Sequence, residues 1–274
     1  LIAHDFYIKA VEQNGIDSDY ALFQAAFCNG LTDRINKKID LLNVLIKKYP
    51  ESVYIDDAIF QLADTYFLQN KIDKAIGYYE KIVNEYPESS YKKQAMLKIG
   101  LILYNSNQNK LALNIFKEII SEFPGTTQAK EAISNAKNVY IDMGNVDEYV
   151  SWIETVSFVN ITESSLDSTT YQAAELFYLK AEYENANRAL SSYLNKFDNG
   201  IFKLNATYYK AVCDYYSNNR PIALLGFEYV LTKQKNDFTE ESLLNAAQLA
   251  YELNLNEKSY NYYNNLIQTA EMPS

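Results

Sequence analysis

The chain has 274 residues, of which 48% are hydrophobic and 22% charged, and a formal net charge of −10. This composition excludes a disordered chain. The negative balance opposes nucleic acid, whose phosphates require lysine and arginine, and an anionic membrane surface; no apolar run reaches the ~18–20 residues of a bilayer span, so no direct membrane insertion is expected.

Proline sets the organisation. Pro50, Pro87 and Pro124 recur every 37 residues, each after an aromatic residue, Tyr49, Tyr86 and Phe123. A period of that length denotes a stacked array of units. Only 8 glycines and 5 prolines are present, which fits long helices with short connections. Stacking also removes the size limit of a single core, because each unit buries its face on its neighbours.

In chain order, residues 1–16 come first. Ala3, Tyr7 and Ala10 read as the second helix of a unit whose first helix is missing. With Leu1 in place of an initiator methionine, the expectation is a part of a larger polypeptide. Units then start near residues 19, 56, 93, 130, 167, 204 and 240 and fill 19–270. The first holds Leu22, Ala25, Ala26, Leu42 and Leu45, with Lys38 where a small residue is expected.

The second unit is the clearest. Ile59, Leu62, Ala63 and Tyr66 fall on one helical face, at the i, i+3, i+4, i+7 spacing of an amphipathic helix. A polar break at 69–73 precedes Ala75, Tyr79 and Ile82, and Tyr86-Pro87 ends the second helix. Ala63 and Ala75 predict a close helix crossing, and Ser89 and Ser90 are placed to cap the next helix. The third unit repeats the pattern with Met96, Ile99, Gly100, Leu103, Ala112, Phe116 and Ile119.

The fourth keeps Ile133, Ala136, Tyr140 and Gly144 but puts Tyr149 where alanine is expected and lacks a terminal proline. Residues 157–170, rich in serine and threonine, read as the longest polar connection. They mark either an irregular junction or a decayed repeat. The fifth unit restores Ala173, Ala174, Phe177, Ala186 and Leu190, and the sixth has Ala211, Ala223 and Phe227, with Asp214 in an aromatic place. The last carries Leu243, Ala246, Ala247, Ser259, Tyr263 and Leu266.

In the second unit the series Ile59, Leu62, Ala63, Tyr66, Ala75, Tyr79 and Pro87 resembles the tetratricopeptide repeat, with its large apolar residue, Leu, small residue, Tyr, Ala, aromatic and Pro in order. The resemblance implies an all-α fold, a right-handed superhelical solenoid of about seven helical hairpins plus a truncated N-terminal helix. It also implies noncatalytic protein–protein interaction. The longer period is similar in style to bacterial cell-envelope members of the family, which implies a periplasmic or cell-envelope location, with the cytoplasm as alternative. The high Asn, Lys, Ile and Tyr content agrees with a bacterial source.

Catalytic chemistry finds no support. His4 is the only histidine, and it is expected at the surface; triads that need an imidazole would depend on it alone. No Cys/His cluster has zinc spacing, and no glycine-rich phosphate loop occurs, so neither metal nor cofactor is expected. Cys28 and Cys213 lie 185 residues apart, five periods, too far for a disulfide in a stacked array. They are expected to be small buried hydrophobes. The sequons at Asn160 and Asn205 are short enough to arise by chance.

The informative surface is a second stripe on each first helix, rotated ~100° from the packing stripe. In tetratricopeptide proteins this stripe lines the concave groove. Of 35 such places, twelve are aromatic where composition predicts about five, seven are acidic and none is Lys or Arg. The candidate partner-binding residues are Phe60, Asp64, Phe67, Tyr104, Tyr171, Glu175, Tyr178, Tyr208, Tyr215 and Tyr251, with Asp57 and Glu241 beside them. The expected partner is a protein or peptide, neutral to basic, held by aromatic anchors. Three other readings share this pattern: aromatics that merely pack between units, a glycan-binding module, and a regulatory or scaffold region of a larger multidomain enzyme. The missing cations argue against a clamp for acidic chaperone tails.

Overall fold

The computed structural model describes residues 2–13, 15 and 17–269. Leu1, Asn14 and Ile16, which the sequence assigns to the truncated N-terminal segment 1–16, and Ala270, assigned to the last hairpin, lie outside the described residues. Among the described residues the structure is all-α, with fifteen helices and no strand. It divides after Val139 into two compact units.

The first unit contains α1 (Ile2–Glu12), α2 (Ser18–Leu31), α3 (Ile35–Lys48), α4 (Ile55–Leu68), α5 (Ile72–Glu85), α6 (Lys92–Asn105) and α7 (Asn109–Glu122), with most of α8 (Thr127–Asp142). Helices α2/α3, α4/α5 and α6/α7 form antiparallel-neighbour hairpins, each of which packs on the next; α1 packs on α2. The second unit contains α9 (Val146–Ile153), α10 (Glu163–Leu179), α11 (Tyr183–Lys196), α12 (Lys203–Tyr216), α13 (Arg220–Leu231), α14 (Thr239–Glu252) and α15 (Asn256–Thr269). Its hairpins are α10/α11, α12/α13 and α14/α15.

The hairpin turns share one geometry. Asp33, Asn70, Asn107, Gly144, Ala181, Asn218 and Asn254 all have positive φ, between 56° and 72°. After each, the next residue returns its N–H to a carbonyl five residues back, as Lys71 N does to Tyr66 O at 2.9 Å and Glu182 N to Phe177 O at 2.9 Å. This is the Schellman closure of a helix end, for which the left-handed residue is best Gly or Asn. Gly144 is required twice over: a Cβ there would also lie 2.5 Å from the Phe177 ring. Ala181 is the exception, an alanine held where L residues pay a steric cost.

Small residues let the helices cross closely. Ala63, Ala75 and Ala112 are fully buried, and a Cβ on Gly100 would come within 2.5 Å of Phe116 Cε1. Lys38, the irregular residue of the first hairpin, lays its stem against Gly30 and donates to Gln61 Oε1 at 2.8 Å. Burial holds its amine below the ordinary lysine range, against the opposing pull of the Asp64 carboxylate.

Adjacent hairpins are latched by an aspartate at the start of the first helix. Ser52 Oγ donates to Asp19 at 2.6 Å and Ser89 Oγ to Asp56 at 2.7 Å, while each serine accepts from the N–H two residues on, Tyr54 or Tyr91. Ser89 therefore caps the residue that precedes α6 and not the first turn of the helix itself, which has no side-chain cap. In the second unit buried Asp167 does the same work with other partners, accepting from Tyr193 OH at 2.5 Å and Ile201 N at 2.7 Å. The 157–170 stretch is shorter as a connection than its composition implies. Thr162 caps α10 by accepting from Ser165 N, and helix begins at Glu163, absorbing the serines and threonines that follow.

His4 is half-buried instead of exposed, with Nδ1 3.1 Å from the Asp5 carboxylate. Both cysteines are free; Cys213 is buried and Cys28 only half so. No described helix is long and apolar enough to cross a membrane.

Candidate protein-interaction surface

The second stripe divides into residues that seal the stack and residues that remain accessible. Phe60, Tyr171 and Tyr208 are buried. Each ring stacks on the aromatic residue just before the next hairpin: Phe60 on Tyr91 at 4.6 Å, Tyr171 on Phe202 at 4.4 Å and Tyr208 on Phe238 at 4.4 Å. These three are braces between hairpins and offer no ring face to a partner, which corrects the expectation that they serve as binding anchors. The reason is local: the stripe sits beside the seam where a following helix enters, and that helix brings its own aromatic.

In the first unit the accessible part is small. Asp64 accepts from the Tyr79 hydroxyl, and Asp57 from Tyr91 OH at 2.5 Å. Phe67 is half-buried, with the Lys98 amine 5.7 Å from its ring centre. A cation thus reaches the stripe from a neighbouring position, although no stripe residue is itself basic. Tyr104 is half-buried on α6.

The second unit is richer. Tyr178 stacks on Tyr209 at 4.3 Å and Tyr183 on Tyr216 at 4.3 Å. Edge contacts of 6.1 Å between Tyr178 and Tyr183 and of 5.7 Å between Tyr215 and Tyr216 join these pairs into one array. Tyr216 is 60% and Tyr251 69% exposed, while Tyr178 and Tyr215 are half-buried. Of the candidate residues, Tyr178 and Tyr215 are brought together here, and Tyr251 lies on the neighbouring hairpin. Tyr183 and Tyr209 escaped the sequence reading because they lie off the chosen stripe; the doublets Tyr208-Tyr209 and Tyr215-Tyr216 were the available signal.

Carboxylates border the array, and each is held. Tyr171 OH donates to Glu175 at 2.7 Å, the Tyr208 hydroxyl donates to Glu241, and Arg220 pairs with Glu252. Aromatic and acidic excess are therefore partly one feature: a phenol of the packing layer orients a carboxylate at its edge. These surroundings raise the phenols' pKa values above the ordinary tyrosine value. The hydrogen bond to Asp57, then burial, pushes Tyr91 up to about 12. Burial first, then the neighbouring phenols, pushes Tyr178 up to about 12. Burial, reinforced by the bonded glutamates, raises Tyr171 and Tyr208 further. No group of metal-binding side chains occurs among the described residues.

Comparison with known proteins gives three matched repeats and a fold. The family model described as Tetratricopeptide repeat matches residues 20–52, 57–89 and 94–126. No curated protein matches in sequence. Among solved structures, a tetratricopeptide repeat protein from Parabacteroides merdae is 12% identical over 93% of this chain and 94% of its own, with a TM-score of 0.45. PilW, a type IV pilus biogenesis factor, is 13% identical over 93% of this chain and 94% of its own, with a TM-score of 0.38. Naa15, solved with Naa10 and bound to HypK-THB, reaches a TM-score of 0.50 at 14% identity, over 91% of this chain and 37% of that one. Tetratricopeptide repeats generally mediate protein–protein interaction, and three tetratricopeptide repeats are matched directly within residues 20–126 of the first unit.

Proposed function

We propose that the chain is a noncatalytic scaffold, and that the tyrosine array of its second unit receives a neutral-to-basic segment of a protein partner. The observation that carries this reading is the continuous set Tyr178, Tyr183, Tyr209, Tyr215 and Tyr216, exposed at Tyr216 and bordered by Glu175 and Glu241. Pre-stacked tyrosines present large, rigid contact area at little entropic cost. Their ring faces attract guanidinium and ammonium groups, and the adjoining carboxylates add complementary charge.

The test is selection of peptides from a random display library on the intact chain. Recovered peptides should be enriched in Arg, Lys and aromatic residues, and their binding should weaken with salt. Tyr178→Ala together with Tyr216→Ala should lower affinity at least ~tenfold, the scale of losing one anchor. Peptides that bind the double variant unchanged would refute the assignment. The same ring faces suit a sugar, and glycan-array binding lost in Tyr216→Ala would transfer the surface to carbohydrate. The 37-residue style of the repeats supports a bacterial cell-envelope setting, which subcellular fractionation checks.

A further inference from the structure

The shortest described helix has a cavity beside it. α9 has eight residues against fourteen in α11, so it covers only part of the α10/α11 hairpin that follows. The cavity measures ≈ 500 Å³, within the ~300–1,000 Å³ of small-molecule sites. It lies inside the second unit, walled by the turn and first residues of α9, by α10 and by the outer face of α11. Its apolar wall is built from Val146, Ala173, Phe177 and Ala189. The Phe177 ring rests on Gly144 so closely that a Cβ there would lie 2.5 Å away.

Two opposite charges line this cavity uncommitted, Arg188 and Asp147. Arg188 Nη2 donates to Asn185 Oδ1 at 2.6 Å, and Asn185 donates in turn to Glu182 at 2.9 Å. That relay orients the guanidinium and occupies the nearest carboxylate of its own helix turn, yet Arg188 forms no ion pair among the described residues. Asp147 sits in the first turn of α9. Its backbone carbonyl accepts from Ser151 Oγ, but its carboxylate has no partner among the described residues. Elsewhere in the unit Lys203, Lys210, Arg220 and Lys258 each hold a carboxylate within 3.0 Å. A third group on the wall is also unsatisfied. Thr170 is only 7% exposed, and its hydroxyl bonds no described residue. A buried hydroxyl without a partner opposes folding, and native folds keep few of them.

We propose that this cavity binds a small zwitterion with an apolar side chain, an α-amino acid or a short peptide. Arg188 takes the carboxylate, for which its planar fork is suited. Asp147 takes the ammonium, the Thr170 hydroxyl a remaining polar group, and the apolar wall the side chain. A ligand of one sign would pair one of the two charges and leave the other beside it unpaired, at a desolvation cost. The site shares no residue with the tyrosine array.

The probes are leucine and the dipeptide alanyl-leucine, each titrated into the intact nitrogen-15-labelled chain and followed by amide shifts. Saturable shifts are expected at Gly144, Asp147 and Ala173, and the tighter of the two probes gives the span between the charged ends. Arg188→Gln should weaken binding about tenfold or more, with an unchanged melting temperature because the side chain is exposed. Asp147→Asn should remove the preference for leucine over isocaproate, which is leucine without its amino group. Thr170→Val should weaken binding while leaving the melting temperature unchanged or higher, an outcome that a purely structural threonine would not give. Tyr216→Ala should leave binding intact. No saturable shift with either probe, isocaproate binding as tightly as leucine, indifference to Arg188→Gln, or shifts confined to the tyrosine array would overturn the proposal.

Discussion

The first unit carries the residues of the tetratricopeptide pattern, and the second carries the same physics in other residues. In the first, serines bridge one hairpin to the next through Asp19 and Asp56. In the second, Asp167 holds a backbone N–H and the Tyr193 phenol directly. The left-handed turn falls on Asp33, Asn70 and Asn107 in the first unit, and on Gly144, Ala181, Asn218 and Asn254 in the second. The family model matches within residues 20–126, where the prolines recur every 37 residues. The bonding task, a carboxylate acceptor near the start of a first helix, is kept at Asp19, Asp56 and Asp167 while the donor differs.

The largest expected effect tests that task. Asp167→Ala leaves the Tyr193 hydroxyl and the Ile201 N–H without their buried acceptor, and should destabilise by about 3 kcal/mol. Asp56→Ala loses a half-buried serine contact and should cost about 1 kcal/mol. Chemical denaturation measures both, and equal losses would mean that the two latches are equivalent.

Crossings come next. Gly100→Ala drives a methyl into Phe116, and Ala112→Leu overfills a fully buried site; each should cost roughly 1–3 kcal/mol. A neutral thermal shift would place the helix contact elsewhere.

Alkaline titration separates the causes of two raised phenols. A phenol whose pKa is higher folded than unfolded contributes stability that is complete below the unfolded value, near 10. That contribution is lost as pH climbs through the folded value, so stability should fall between about 10 and about 12. Asp57→Ala removes the leading cause at Tyr91, whose pKa should drop toward 10, while Tyr178, raised chiefly by burial, stays near 12. Carbon-13 tyrosine NMR resolves the two, and a shared drop would show that they are coupled.

The smallest effect is a gain. Ala181→Gly relieves a left-handed alanine and should stabilise by about 0.5–1 kcal/mol, the steric relief exceeding the added chain entropy. Asn107→Gly in the first unit should change stability by only a few tenths, because asparagine already tolerates that backbone.

The sequence by itself determined the repeat, its period and the helical faces, because proline, small residues and i, i+3, i+4, i+7 spacing act within a few turns of one chain segment. The recurring turn was also legible in Asn70, Asn107 and Asn218, whose spacing keeps the period of the prolines. Only tertiary structure decided which stripe residues a partner can reach. Phe60 and Phe67 occupy one stripe on one helix, yet the first is sealed by Tyr91 and the second stays half-open. Likewise the carboxylates Asp57 and Glu241 read as free charges until Tyr91 and Tyr208 are found donating to them. Burial and pairing depend on side chains about 33 residues away on or beside the neighbouring hairpin, and periodicity within one helix carries no information about what that neighbour brings.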